Sequence, residues 1–290
     1  KSRQKEEEIN AGSSMKLGVF ELFVVSGGYF WLDGGSMYGV VPKVLWDKLT
    51  PADKDNRIRL SLNCLLIKAQ DKTVLVDTGI GEKFSRRFRE IYKIEGDKKL
   101  NSSLAALNVQ PSDVDFVINT HLHFDHCGGN TRRQGGKYVP AFPNAKYVIQ
   151  REEWLNANQT NEKTGSSYRS GDFLPLKEAG QLLLIDGDHE VISGVRAIVT
   201  SGHTRGHQSV LISSQGKHAI YLGDLIPTTH HVKLTYMTGF DLYPVELLAT
   251  KKEIVKRAIA EKWLLVFEHD PETVFAYVTE EAGGTKLLPV

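Results

Sequence analysis

Thr120-His121-Leu122-His123-Phe124-Asp125-His126-Cys127-Gly128-Gly129 is the stretch that decides how this 290-residue chain is read. It follows Val114–Asn119, a run that is apolar except for Asp115 and its terminal Asn, and that predicts a strand. At a strand's end, residues two apart point the same way, so His121 and His123 converge on one ion. Asp125 and His126 come where the chain turns. They face a neighbouring point about 3.5–4 Å from the first, the separation of two-metal sites. Gly128 and Gly129 let the backbone pack closely behind these side chains. Four ligand-capable residues within six positions have no cheap structural explanation.

Three downstream residues extend the cluster. His207 lies in Ser201-Gly-His-Thr-Arg-Gly-His-Gln, after the predicted strand Val195–Thr200. Asp224 follows the predicted strand Ala219–Leu222, and His269 follows Leu264–Phe267. Each stands at a strand's carboxyl end, as His121 does, so a site at one edge of a sheet sandwich is expected. His203 is read as a support of the turn rather than a ligand. Cys127 adjoins His126, and adjacent side chains rarely aim at one centre, so it is read as buried packing. Asp77 either orients a metal-binding histidine or caps a turn. His230 and His231 are read as exposed loop residues.

These residues resemble the metallo-β-lactamase superfamily across residues 16–280. The supporting pieces are the HxHxDH cluster, Val76-Asp77-Thr78-Gly79, and Gly-His-Thr-Arg-Gly-His around His207. Asp33-Gly-Gly-Ser-Met-Tyr-Gly-Val-Val-Pro-Lys and Phe267-Glu-His-Asp-Pro are similar to the branch of quorum-quenching lactonases and methyl-parathion-hydrolase-like enzymes. The resemblance implies a four-layer αββα sandwich with two divalent metal ions. One would be held by His121, His123 and His207, the other by Asp125, His126 and His269, with Asp224 bridging them. Zinc suits these ligands; iron, manganese or cobalt are alternatives. The function implied is a dinuclear hydrolase of lactones (N-acyl homoserine lactone-like) or carboxylic esters, with a metal-bridging hydroxide as nucleophile. Asp125 and Asp224 are its catalytic carboxylates, Asp125 as a proton shuttle. A homodimer is suggested by the resemblance alone. Lactonases of this branch carry a tyrosine three residues after the bridging aspartate, where this chain has Pro227, which puts homoserine-lactone preference in doubt.

Composition sets the limits around this reading. Lys and Arg number 36 against 35 acids, a net charge of +1, so a nucleic-acid partner is not expected. The basic run Lys83–Arg89 reads as a solvated helix face. Two cysteines exclude a disulfide scaffold, and ten histidines favour nitrogen ligands over thiolates. Residues 1–14 (KSRQKEEEINAGSS) are polar and read as a disordered or appended leader, with 15–290 as one metallo-β-lactamase-like domain. Leu17–Val25 is interrupted by Glu21 and falls short of the ~18 apolar residues of a membrane span, so a cytoplasmic protein without membrane partners is expected.

The rest of the chain reads as short β-branched runs separated by Gly, Asp and Asn. Lys16–Val25 and Tyr29–Leu32 predict a hairpin turning at Ser26-Gly-Gly, and Leu60–Lys68 with Thr73–Val76 a second. Helical pattern falls at Ser102–Asn108, Arg151–Asn158 and most strongly Val245–Lys262. Strands outnumber helices, and the long helices lie between strands, which suggests two packed sheets with helices outside. Residues 159–173, rich in Ser and Gly, read as a loop near a functional opening.

For substrate binding, Trp31, Met37 and Tyr38 near the first hairpin and Tyr236 and Phe240 before the long helix are the candidate pocket residues. They wall an apolar pocket for a small-molecule lactone or ester, or else pack a core or dimer interface. The alternatives are phosphotriester or phosphodiester hydrolysis by the same site, and a mono-iron thiol or persulfide dioxygenase.

Overall fold

The computed structural model describes residues 13–95 and 100–290. The expected leader lies outside the described residues over 1–12, while Ser14 already opens a strand. Strands β1 (Ser14–Leu17), β2 (Phe20–Asp33), β3 (Arg57–Lys68), β4 (Thr73–Val76) and β5 (Phe116–Ile118) come first. A separate ribbon follows, β6 (Thr131–Gln134) with β7 (Lys137–Pro140). β8 (Lys146–Gln150) and β9 (Leu182–Ile185) complete a seven-stranded sheet in the order β1-β2-β3-β4-β5-β8-β9. The second sheet runs in chain order: β10 (His189–Ile192), β11 (Val195–Val199), β12 (Gln208–Ser214), β13 (Lys217–Tyr221), β14 (Leu264–Val266), β15 (Phe275–Glu281) and β16 (Gly284–Pro289).

Alternation along the strands builds the layers. On β3, Leu65 and Ile67 point inward to meet Val210, Ile212 and Tyr221 of the other sheet, while Leu66 between them points outward. That outer face is covered by the helices Leu100–Ala106 and Arg151–Ala157 through Leu104 and Trp154. The outer face of the second sheet is covered by the helix Pro244–Ala260, which contributes Leu247, Ile254, Val255 and Ala258. The result is the αββα sandwich expected, with one core between the sheets and another under each helical layer. Among the described residues no helix is long and apolar enough to cross a membrane.

The first hairpin is a correction. Ser26-Gly27-Gly28 is no turn: β2 runs through it, and both of its halves pair with β3, with a register shift between Ser26 and Tyr29. The chain reverses instead at Gly18-Val19, between β1 and β2. A glycine pair inside one strand marks a bulge as readily as a turn, and Gly28 takes φ 106°, which favours glycine. The second hairpin, between β3 and β4, is as expected.

The strands then deliver the site. β4, β5, β11, β13 and β14 all end at one edge of the sandwich. Their following residues include Asp77, His121, His203, Asp224 and His269.

Candidate metal centre

After β5 the chain leaves Asn119-Thr120-His121-Leu122-His123 as an extended loop, then forms one short helix, Phe124–Cys127. The loop is held from both sides. Asp77, at the end of β4, accepts from the Thr120 amide and the Thr120 hydroxyl, each at 2.7 Å. Glu153, fully buried on the helix Arg151–Ala157, accepts from the Leu122 amide at 2.9 Å. Its other oxygen accepts from the Thr204 hydroxyl at 2.6 Å, so one carboxylate ties the His121–His123 loop to the turn that carries His203. Behind the short helix, a Cβ on Gly128 would lie 2.2 Å from the Ile80 carbonyl, and one on Gly129 2.3 Å from that of Thr78. Only glycine fits there. The buried Lys83 donates to the carbonyls of Gly128 and Thr131 and pairs with Asp172 at 3.0 Å.

The histidines converge on Asp224. His203 Nε2 lies 3.1 Å from Asp224 Oδ2 and 3.1 Å from His123 Nδ1. His269 Nε2 lies 3.1 Å from Asp224 Oδ1 and 3.2 Å from His126 Nε2. His126 Nε2 is 3.5 Å from Asp224 Oδ2, and Asp125 Oδ2 is 3.8 Å from both His126 and His269. Three groups result: His121, His123 and His203 with Asp224; Asp125 with His126 and His269; and, behind His126, Asp77 with His126 and Glu268.

The back sides of the imidazoles fix which nitrogen faces the cluster. His269 Nδ1 is 2.9 Å from the Ser61 carbonyl, which can only accept, so Nδ1 carries a proton and Nε2 is the nitrogen that faces the cluster. His203 Nδ1 is 2.9 Å from the Asp241 carboxylate, and His126 Nδ1 is held by Asp77 and Glu268 at 3.1 and 2.9 Å. Burial holds His121 and His123 well below the ordinary imidazole range. Burial pushes Asp224 the other way, but His126, His203 and His269 hold it well below the usual carboxylate range.

His207 is a correction. Its Nδ1 meets the Thr200 carbonyl at 3.2 Å, so the proton sits there, and Nε2 accepts from the Asp224 amide at 3.1 Å. With its lone pair spent on a backbone N–H, His207 cannot ligate. It buttresses Asp224, and His203 occupies the position expected of it. Spacing alone does not separate two histidines four residues apart on one turn. Glu153 was missed as well, because a glutamate in the first turn of a helix carries no sequence signal of its contacts. Cys127 is buried, with Sγ 3.3 Å from the Leu122 carbonyl, and packs as expected.

This donor set fits divalent metal ions. Imidazole nitrogens and carboxylate oxygens lie within 4.8 Å of one another in each group, and the buried His121 Nε2 has no hydrogen-bond partner. Adjacent imidazole nitrogens 3.1–3.2 Å apart repel unless a proton or cation lies between them.

The cluster floors a cavity of about 460 Å³. Trp31, Met37 and Phe240 line it, together with Leu32, Ile91, Tyr92 and Phe124. Tyr38 and Tyr236 do not. The helix Gly34–Tyr38 turns successive side chains about 100° apart, so Met37 faces the cavity while Tyr38 enters the core. There Tyr38 stacks on Trp46 and His231 and bonds Thr50 Oγ1 at 2.7 Å, with Tyr236 edge-on at 5.9 Å. His231 is buried too, not exposed: its Nε2 lies 2.8 Å from the Met37 carbonyl. The 159–173 loop contributes Lys163, Ser166 and Ser167 to the rim.

Fold and site together define a metal-dependent hydrolase. Residues 57–269 match the model of the metallo-beta-lactamase superfamily, and the chain belongs to that family. It is 30% identical over 284 residues to an N-acyl homoserine lactonase of Bacillus cereus, covering 93% of this chain and 98% of that protein. A probable metal-dependent hydrolase from Staphylococcus aureus superposes with a TM-score of 0.88 at 29% identity, over 95% of this chain and 99% of the other. An N-acyl homoserine lactone hydrolase, solved with N-hexanoyl-L-homoserine bound at its catalytic metal centre, gives 0.68 at 27% identity over 88% and 94%.

Proposed function

We propose that this protein is a dinuclear lactonase acting on lactones with an apolar acyl side chain. The observation that carries the reading is Asp224, set between two groups of ligand atoms at the floor of an apolar-walled cavity. His121, His123 and His203 would hold one ion, Asp125, His126 and His269 the other, with Asp224 shared. Zinc suits this mixture of imidazole and carboxylate. When bound, the ions supply Lewis acidity, which makes water nucleophilic at neutral pH and polarises a carbonyl.

The chain's own residues do the rest. Asp77, Glu268, Ser61 and Asp241 aim the imidazoles, and His207 holds the backbone of Asp224. Asp125 faces the cavity from the cluster's edge and takes the proton role, handing it to the leaving oxygen when the ring opens. Trp31, Met37, Phe124 and Phe240 bury the side chain of the substrate and keep water off the reacting ester. The similarity to homoserine lactonases supports a lactone over an open ester.

The test is turnover of the zinc-loaded enzyme on homoserine lactones, aryl esters and phosphotriesters of matched size. Lactones should lead in kcat/KM by tenfold or more, on the order of one pocket contact's discrimination. A phosphotriester lead would overturn the reading.

A further inference from the structure

An ester carbonyl under attack develops negative charge on its oxygen, and a fixed hydrogen-bond donor at that point speeds the reaction. The chain after Asp224 offers no side-chain donor at Pro227, and the Pro227 carbonyl accepts from the His269 amide at 3.0 Å. Among the described residues one phenol lines the cavity, that of Tyr92.

Tyr92 ends the helix Arg86–Ile91, and both of its backbone groups are fixed. Its amide donates to the Phe88 carbonyl at 3.1 Å, and its carbonyl accepts from the Trp31 amide at 2.8 Å. The ring is clamped between Phe88 and Phe124, with centroids 4.5 and 5.1 Å away. Phe124 adjoins Asp125, so the clamp refers the phenol to the ligand cluster itself. The hydroxyl has no protein acceptor among the described residues. Other tyrosines nearby are occupied: the Tyr168 hydroxyl donates to Glu153 at 3.0 Å and that of Tyr38 meets Thr50.

Resting on the lactonase reading above, we propose that the Tyr92 hydroxyl donates a hydrogen bond to the scissile carbonyl group of the substrate. Burial, then the charge of Asp125, raises the phenol above its ordinary value, so it keeps its proton and acts as a donor across the working pH range. Of the basic run, Arg86, Arg87 and Arg89 stay exposed on the helix that ends in this tyrosine, while Lys83 is buried before it.

The experiment is Tyr92→Phe in the zinc-loaded enzyme, assayed on lactones with short and long acyl chains. Removing a donor that acts only in the transition state should lower kcat about 10- to 100-fold with KM within about threefold. The loss should be the same for every chain length, and metal content and melting temperature should be unchanged. A phosphonate analogue of the ester should bind the variant more weakly by a similar factor. If kcat stays within about twofold, or the loss lies in KM and grows with chain length, Tyr92 is only an apolar wall and the proposal is overturned. If the unmutated enzyme hydrolyses neither lactones nor esters, the functional reading itself fails, a result distinct from an active enzyme indifferent to Tyr92→Phe.

Discussion

His207 Nε2 accepts a hydrogen bond from the backbone amide of Asp224 at 3.1 Å. The ring is therefore neutral and fully occupied, and burial holds it down to about 3. It supports the carboxylate around which the cluster is arranged, while His203 turns its Nε2 to that carboxylate at 3.1 Å. His203→Ala should cost one of two bound zinc ions and at least about 100-fold in turnover, as losing a metal ligand does. His207→Ala should keep both ions and lose about tenfold. Metal analysis of the two variants side by side checks this; the reverse pattern would restore His207 as ligand.

Glu153 ties Leu122, Tyr168 and Thr204 together in a buried network. Glu153→Ala leaves those three donors without an acceptor, and should lower unfolding free energy by about 2–4 kcal/mol. Glu153→Gln keeps an acceptor and should lose less. Urea unfolding of both variants measures the difference, and equal stability of the alanine variant would mean the network is not what ties the two loops.

Lys251, buried on the helix Pro244–Ala260, donates to the carbonyls of Lys233 and Tyr236 and so holds the segment leading to Phe240. Burial lowers its ammonium from the ordinary value to about 7. The unfolded chain keeps that proton to about pH 10.4. Between these values the unfolded state binds more protons, so stability rises with pH, by at most ~1.4 kcal/mol per pH unit, and is flat below the window. Lys251→Met should remove the rise. Unfolding free energies measured from pH 6 to 10 give the slopes; identical slopes would show that the lysine does not titrate there.

Trp31, Met37 and Phe240 wall the cavity. Each methylene buried against them contributes about 0.8 kcal/mol, so kcat/KM should climb roughly three- to fourfold per carbon of acyl chain until the space fills. Phe240→Ala should flatten that climb while leaving short substrates nearly unaffected. A uniform loss across chain lengths would place Phe240 in the reacting part of the site instead.

How much of this was legible in the sequence depends on how local each feature is. His121, His123, Asp125 and His126 sit within six positions, and Asp224 and His269 each follow an apolar run, so strand ends and ligands announce themselves together. The choice between His203 and His207 depends on which ring nitrogen meets a donor, and the Asp224 amide that decides it is 17 residues away in sequence. Ser26-Gly27-Gly28 misleads for a related reason: a bulge and a turn share the same residues, and only pairing with β3 on both sides tells them apart. Tyr38 looked like a pocket residue by proximity to Met37, but one helical step separates cavity from core. Tyr92 and Glu153 act through contacts at long range, which composition and spacing do not carry.

On the proposed function, two metal ions share Asp224, with His203 and not His207 completing the first site. Anomalous diffraction at the zinc edge from crystals of the zinc-loaded protein tests it directly. Two peaks should appear, one contacted by His121, His123 and His203, the other by Asp125, His126 and His269, both touching Asp224. A single peak, or one bonded to His207, would contradict it.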